Sequence, residues 1–193
     1  MNLLMTIGMV AAGVILIVAV AGIAMGLLFC GDIMSYTDTG SRTLSPDGAP
    51  IGKALVAYNP GVSGAAKSAA EKIAGDLQSR GYAVTLAGIR SAAAADVSGY
   101  DVVIVGGPMY FGRVSNSVDA YLKGLEPQKD VRMGVFATTG TSQSNDRDIA
   151  SFGEQAASLP CNGMLDKAVV TKTIRSGDAS DTDCMDLVAA VLQ

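Results

Sequence analysis

The sequence contains no histidine and no tryptophan, and no charged residue occurs in its first 31 positions. Without histidine, the chain lacks the side chain that most often serves as a general base or a metal ligand near neutral pH. A Ser–His–Asp triad is therefore excluded. The three cysteines, Cys30, Cys161 and Cys184, are far apart in the sequence and form neither a metal-binding motif nor a disulfide framework. We predict no metal site and no catalytic side chain.

Basic residues are also scarce. The 193-residue chain has 14 Lys and Arg against 18 Asp and Glu, which gives a formal net charge of -4. The basic residues form no cluster, so the sequence predicts no nucleic-acid partner. After the apolar start, enough chain remains for one compact domain with a core of its own.

The uncharged start of the chain, residues 1–31, is rich in Leu, Ile, Val, Ala and Met. A bilayer core is about 30 Å thick, and roughly 20 apolar helical residues cross it. We therefore predict a single transmembrane anchor over 1–31, with the lipid bilayer as its partner. A cleaved signal peptide needs a basic start and a shorter apolar core. A lipoprotein site at Cys30 is disfavoured because Phe29 stands where a small residue is expected.

The residues that flank the anchor give a weak signal for its orientation. Arg42 and Lys53 follow it, whereas no Lys or Arg precedes it, and positive charge favours the cytoplasmic side. We predict a single-pass protein of the cell membrane whose soluble domain is cytoplasmic. Gly22 and Gly26 stand four residues apart, and this spacing allows two helices to approach closely. They are the predicted site of any helix–helix association.

The rest of the chain divides into a predicted flexible linker, residues 32–52, and a domain, residues 53–193. The linker is rich in Gly, Ser, Thr, Asp and Pro and has no apolar period. The domain alternates short apolar runs with helical patterns, which is typical of a parallel sheet with helices on both faces. The predicted strands are 54–58, 82–86, 102–105, 133–137 and 168–171, and the predicted helices are 65–80, 115–125, 146–159 and 181–192. The fold class is thus α/β, with a five-stranded parallel sheet in a three-layer sandwich.

Ligands bind such sheets beyond the carboxyl ends of the strands, which selects the loops after Tyr58, Val105 and Ala137. The first loop precedes a helix, and free backbone N–H groups at that position suit a phosphate. A tight turn with Ser63 near the helix cap is the competing interpretation. The candidate residues of this loop are Asn59, Pro60, Gly61, Val62, Ser63, Gly64 and Ala65.

The other two loops offer different chemistry. The second has glycines that allow close approach and aromatic rings that can stack on a flat ligand, unless those rings pack against the domain. The third offers main-chain amides and hydroxyl groups without charge. The candidates of the second loop are Pro108, Met109, Tyr110, Phe111 and Gly112, and those of the third are Thr138, Thr139, Gly140 and Thr141.

The three loops resemble those of the flavodoxin-like family, which includes small FMN proteins and FMN quinone reductases. The more specific match is the segment 106–112, which reads GGPMYFG. The resemblance implies that FMN is the cofactor, with its phosphate on the first loop and its ring between the other two. Ala65 and Ala66 stand where the family has Asn and Thr. Losing two such partners of a phosphate weakens binding by roughly two to four decades.

These observations favour a membrane-anchored electron-transfer protein that uses bound FMN, with a redox partner in or near the membrane. The lack of histidine is compatible with one-electron exchange, which needs no acid or base from the protein. One alternative is an FMN-dependent quinone reductase. The other is a docking subunit of a membrane complex, in which the flavin site is degenerate.

Overall fold

The computed structural model describes residues 3–35, 38–140, 146–176 and 180–193. Its contacts divide the chain into two units, Met1–Ser35 and Tyr36–Gln193, each of which is described by itself.

The first unit is one helix, α1, which spans Leu3–Ser35 and thus continues past the predicted end at residue 31. Within it, Met9–Leu27 is long and apolar enough to cross a membrane, a test that a signal sequence also passes. Gly22 and Gly26 are exposed on this helix and have open space around them. Helix association through these two glycines stays a prediction.

The second unit is built on one mixed sheet. Its strands are β1 (Ser41–Leu44), β2 (Gly52–Tyr58), β3 (Tyr82–Gly88), β4 (Val102–Tyr110), β5 (Arg113–Val114), β6 (Arg132–Thr139) and β7 (Val170–Arg175). The order across the sheet is β1-β3-β2-β4-β6-β7, and β5 pairs with the end of β4. Five neighbouring strands run parallel to one another and confirm the predicted sheet; they are β3, β2, β4, β6 and β7. The antiparallel strands β1 and β5 were not predicted.

Helices cover both faces of the sheet and complete the three layers. They are α2 (Ala65–Ser79), α3 (Asn116–Lys123), α4 (Asp146–Ala157) and α5 (Ser180–Val191). One core lies between the sheet and the helices α2 and α5, and the other lies beneath α3 and α4. α2 turns a buried stripe of apolar residues to the sheet. It ends at Ser79, two residues before Gly81, whose positive φ of 96° suits the C′ position.

The expected linker is wrong between residues 38 and 44, because this stretch is bonded to the sheet. Residues Ser41–Leu44 form β1 and pair with β3. The Gly88 N–H donates to the Gly40 carbonyl at 2.9 Å. A four-residue edge strand has no apolar alternation long enough to show in the sequence. Its place depends on backbone pairing rather than on side-chain burial.

The segment Asp38–Leu44, here called the strap, is also held by its first residue. The Asp38 carboxylate accepts hydrogen bonds from the Gly40 N–H at 2.7 Å and from the Tyr58 hydroxyl at 2.8 Å. These two donors, the Gly40 amide first, hold the pKa of Asp38 below its usual value. Burial, together with the Asp38 carboxylate, raises the pKa of the Tyr58 hydroxyl, so Tyr58 stays a donor. The strap is therefore fastened to the last residue of β2.

The Asp38 contacts make the stability of the domain depend on pH. Because the pKa of Asp38 is lowered by folding, its contribution is present above about pH 4 and is lost as pH falls through the folded pKa. We expect Asp38→Asn to lower the unfolding free energy at pH 7 by a few tenths to about 1 kcal/mol. The difference in unfolding free energy between the parent and Asp38→Asn should narrow toward about pH 3, as measured by denaturant unfolding. A gap that stays constant with pH would contradict this assignment.

Candidate functional site

The structure brings together the carboxyl ends of β2, β4 and β6, which carry the three predicted loops. They are called the first, second and third segments from here on, because parts of them belong to strands. These strands are direct neighbours in the sheet. The Asn59 N–H donates to the Gly106 carbonyl at 2.9 Å, which joins the first segment to the second. Pro108 pairs with Thr138, which joins the second to the third. The three segments therefore line one edge of the sheet, as predicted.

The first segment bends sharply into α2. Gly61 and Gly64 have φ values of 64° and 72°, a region that favours glycine. A side chain at Gly61 would come within 3.0 Å of the Pro108 ring, so the first two segments are in contact. Pro60 is buried, whereas Val62 and Ser63 are exposed at the tip of the turn.

The N-terminus of α2 is open to a ligand. Its cap is Gly64, which has no side chain to accept a backbone N–H. The Ala65 N–H donates to the Ser63 hydroxyl at 3.4 Å, and the helix ladder begins with Ser68 donating to the Gly64 carbonyl. Within the described residues, the N–H groups of Ala66 and Lys67 donate to no protein atom. Together with the helix dipole, these groups form a site for an anion.

The structure gives Asn59 a different role from that of a phosphate donor. Its side chain is 0% exposed. The carboxamide donates to the Ser117 hydroxyl at 2.6 Å and to that of Ser115 at 3.5 Å. Its oxygen accepts the Gly61 N–H at 3.0 Å. Asn59 therefore fixes the shape of the first segment and ties it to the start of α3.

The second segment continues the strand instead of forming a loop. Residues 106–110, which we expected beyond the strand, belong to β4. The two glycines allow this because each lies against a packed side chain. A Cβ on Gly106 would lie 2.3 Å from the Phe136 ring, and one on Gly107 would lie 2.7 Å from Val118. The glycine pair thus carries the sheet farther out, and the half-buried Met109 and Tyr110 follow at its end.

Phe111 and Gly112 form the tip of a two-residue hairpin between β4 and β5. Tyr110 pairs with Arg113, and both tip residues have positive φ, 52° for Phe111 and 76° for Gly112. This is the type I′ pattern, in which Asn-Gly is preferred and a bulky residue is rare. Phe111 is 90% exposed. The interpretation that its ring packs the segment against the domain is therefore wrong.

Because Phe111 is strained and exposed, its replacement should make the domain more stable. A left-handed conformation costs an L-residue roughly 1–2 kcal/mol, and asparagine tolerates it better. We expect Phe111→Asn to raise the unfolding free energy by about 1 kcal/mol. Phe111→Ala keeps most of the backbone cost and serves as the control. Denaturant curves in which both variants are less stable than the parent would show that the ring itself stabilises the fold.

The third segment lies at the end of β6. Thr138 and Thr139 are buried strand residues rather than loop residues, and Gly140 is exposed after them. The Thr139 carbonyl accepts from the Ser176 hydroxyl at 2.6 Å, so it is already engaged. Thr141 lies outside the described residues. What this segment offers at the sheet edge is mainly the chain around Gly140.

Two cysteines are far from any reactive role. Cys161 and Cys184 are both buried and unpaired. Burial raises the pKa of the Cys184 thiol to about 12 and also raises that of Cys161. Both thiols therefore stay protonated near neutral pH, as expected of packing residues.

Several residues that shape this edge of the sheet were not foreseen. Gln155 on α4 accepts the Val114 N–H at 3.2 Å and donates to Asp119 at 3.0 Å, which braces the hairpin against two helices. Asp38 acts from outside the predicted domain. Long-range polar contacts of this kind leave no periodic signal in a single sequence.

The edge as a whole suits a flat anion with a heterocyclic ring. Between Asn59 and Ala66, and again between Gly106 and Gly112, the chain carries no acidic residue that would repel a phosphate. The open helix amides lie in the first segment, and the exposed aromatic ring lies in the adjoining second one. The donors that are present thus fit a nucleotide phosphate, although the first segment supplies mainly backbone.

Comparisons with known proteins identify a family and several structures of similar fold. A family model described as a flavodoxin domain matches residues 55–168. Oxidised Flavodoxin 2 from Bacillus cereus is 18% identical, with a TM-score of 0.50 over 72% of this chain and 97% of that one. A short-chain flavodoxin associated with a bacterial microcompartment is 14% identical, with a TM-score of 0.48 over 74% and 97%. Rubredoxin oxygen:oxidoreductase from Desulfovibrio gigas is 21% identical, with a TM-score of 0.44 over 75% and 37%. No curated protein matches the chain.

Proposed function

This chain belongs to the flavodoxin domain family, and we propose that it is an FMN-binding electron carrier held at a membrane by its N-terminal helix. When bound, FMN supplies the redox chemistry, and the protein supplies binding, orientation and electrostatics. The observation that carries the proposal is the open N-terminus of α2 at the end of β2, together with the exposed aromatic residue on the hairpin that ends the neighbouring strand β4.

The phosphate of FMN is proposed to bind to backbone donors. The N–H groups of Ala65, Ala66 and Lys67 begin α2, and the glycine cap at Gly64 leaves room for an anion to approach them. These amides replace the side-chain donors that the family has at positions 65 and 66. Since amides held in a helix need no reordering on binding, they support phosphate binding without those side chains.

The ring of FMN is proposed to lie between the second and third segments. Phe111 and Tyr110 offer aromatic faces on one side, and the chain at Thr139–Gly140 offers polar backbone on the other. Phe111 stands at the tip of the hairpin, and a Cβ added at the buried Gly112 would lie 3.0 Å from the Asp148 carboxylate of α4. An aromatic side chain offers a large flat contact area and has only two side-chain torsions to fix when it stacks on a flat ligand.

The proposed attachment to the membrane depends on the N-terminal helix. It rests on the apolar stretch Met9–Leu27 and the absence of charge before residue 32. A tether raises the local concentration of the carrier near membrane redox partners without any new contact. The soluble domain is proposed to face the cytoplasm, which protease protection of intact cells and inverted vesicles would test.

The proposed cofactor is tested by the absorbance spectrum of the detergent-purified, full-length protein. We expect the bands of oxidised flavin, with close to one FMN released per chain on denaturation. A steady-state assay of quinone reduction by a nicotinamide nucleotide separates an enzyme from a simple carrier, which should show no such turnover. Colourless protein that stays colourless after incubation with FMN, and that copurifies with stoichiometric partners, would favour a docking subunit instead.

A further inference from the structure

Lys67 stands in an unusual position for a basic residue. It is the third residue of α2, and the first turn of this helix carries no acidic side chain. The helix dipole places partial positive charge at this end, so a cation here is unfavourable. A local preference that is contradicted in this way is often found at a functional site.

The surroundings of Lys67 do not fully compensate for this cost. Among the ion pairs of the described residues, none joins Lys67 to a carboxylate within 4.0 Å. Lys72, five residues later on the same helix, does pair with Asp181. The charge of Lys67 acts at longer range on Asp38, whose pKa it helps to lower. Arg42, the other basic residue nearby, is paired with Glu71 at 3.2 Å.

Lys67 belongs to the turn that carries the proposed phosphate site, since its own N–H is one of the open amides. Side chains on a helix lean toward its N-terminus. Lys67 lines a pocket of about 170 Å³ together with Asp38 and Tyr58. Tyr58 directly precedes the first segment, so this pocket adjoins the start of that segment.

We infer that Lys67 is the cationic partner of the FMN phosphate in this chain and takes over from the side chains that Ala65 and Ala66 cannot supply. This inference rests on the proposed binding of FMN. The phosphate of FMN carries about -1.5 to -2 charge at pH 7, and one flexible lysine can reach it as a point charge. Asp38 balances Lys67 at a distance without pairing with it, which leaves the ammonium group able to move to the ligand.

The test compares the affinity for FMN with that for riboflavin, which has the same ring and no phosphate. Full-length protein in detergent, freed of flavin, is titrated with each ligand while flavin fluorescence is followed. We expect Lys67→Gln to weaken FMN binding about tenfold and to leave riboflavin binding unchanged. Lys67→Arg should stay within about threefold of the parent. The matched control, Lys72→Gln, should stay within about twofold for both ligands.

Salt adds a second readout, because an exposed charge pair is screened. The difference between the parent and Lys67→Gln should shrink at high ionic strength. Equal FMN affinity of the two proteins would overturn the inference while leaving FMN binding itself intact, and so would an equal loss for FMN and riboflavin. A parent protein that binds neither flavin would overturn the proposed function and this inference together.

Discussion

Ala65→Asp is expected to abolish tight FMN binding while making the free protein slightly more stable. Ala65 is the first residue of α2, next to the amides proposed to hold the phosphate. A carboxylate about 5 Å from a phosphate repels each unit of its negative charge by roughly 3 kcal/mol at an effective dielectric constant of about 20, which corresponds to at least about a hundredfold loss of affinity. Without ligand, the same carboxylate favours the helix N-terminus by about 0.3–1 kcal/mol.

The opposite signs of these two effects separate a local change from unfolding. Ala65→Asn is the matched control, because it has nearly the same shape and no charge. It also restores the side chain that the family resemblance implies at this position, so FMN binding should tighten by up to about tenfold. Thermal unfolding without ligand and flavin titration of the three proteins measure both effects. An Ala65→Asp protein that binds FMN within threefold of the parent would place the phosphate elsewhere.

Gly106→Ala is expected to cause a large loss of stability. The new Cβ would lie 2.3 Å from the ring of Phe136, which is fully buried between the sheet and its helices. Neither the central strand nor the ring has free space to move into. Overpacking of this kind costs about 3 kcal/mol of unfolding free energy. It should also disturb the second segment, to which Gly106 belongs.

Gly75→Ala provides the control for Gly106→Ala. Gly75 lies within α2 with nothing within 4 Å of an added Cβ. Alanine there should stabilise the domain by about 0.5–1 kcal/mol. All six tyrosines follow Ser35, so tyrosine fluorescence during denaturant unfolding reports on the soluble domain. Adding Phe136→Leu to Gly106→Ala should recover part of the loss, because the two changes share one space. Additive effects would contradict the predicted clash.

The parallel core of the fold could be predicted because its signals are local and strong. The runs around Leu55, Ile104 and Val135 are apolar without interruption, as expected of strands covered on both faces. The stripe of α2 and the glycine after it gave one helix and its end within a residue. In each case the pattern of buried residues in the structure matches the pattern of apolar residues in the sequence.

The parts that were not predicted depend on partners that are distant in the sequence. β1 forms because it pairs with the edge strand β3. Asp38 is held by a hydrogen bond from a tyrosine 20 positions later. The extension of β4 through Gly106 and Gly107 was hidden because glycines usually end strands. Here they are needed since Phe136 and Val118 occupy the space of their side chains.

The candidate site shows the same division. The three segments were placed correctly because chain topology alone brings the ends of β2, β4 and β6 together. Their internal bonding was not predictable. The carboxamide of Asn59, expected to face a ligand, is held by the hydroxyls of Ser115 and Ser117. A single sequence does not indicate that a buried amide will meet two serines that lie 56 and 58 positions later.

The most direct test of the proposed phosphate site is calorimetric titration of the flavin-free, full-length protein with FMN and then with riboflavin. If the amides that begin α2 hold the phosphate, FMN binds with a stoichiometry of one and at least tenfold more tightly than riboflavin. Equal affinity for the two ligands would mean that the phosphate contributes nothing. If neither ligand releases or absorbs heat at concentrations well above the dissociation constants of ordinary flavoproteins, FMN binding would be contradicted altogether.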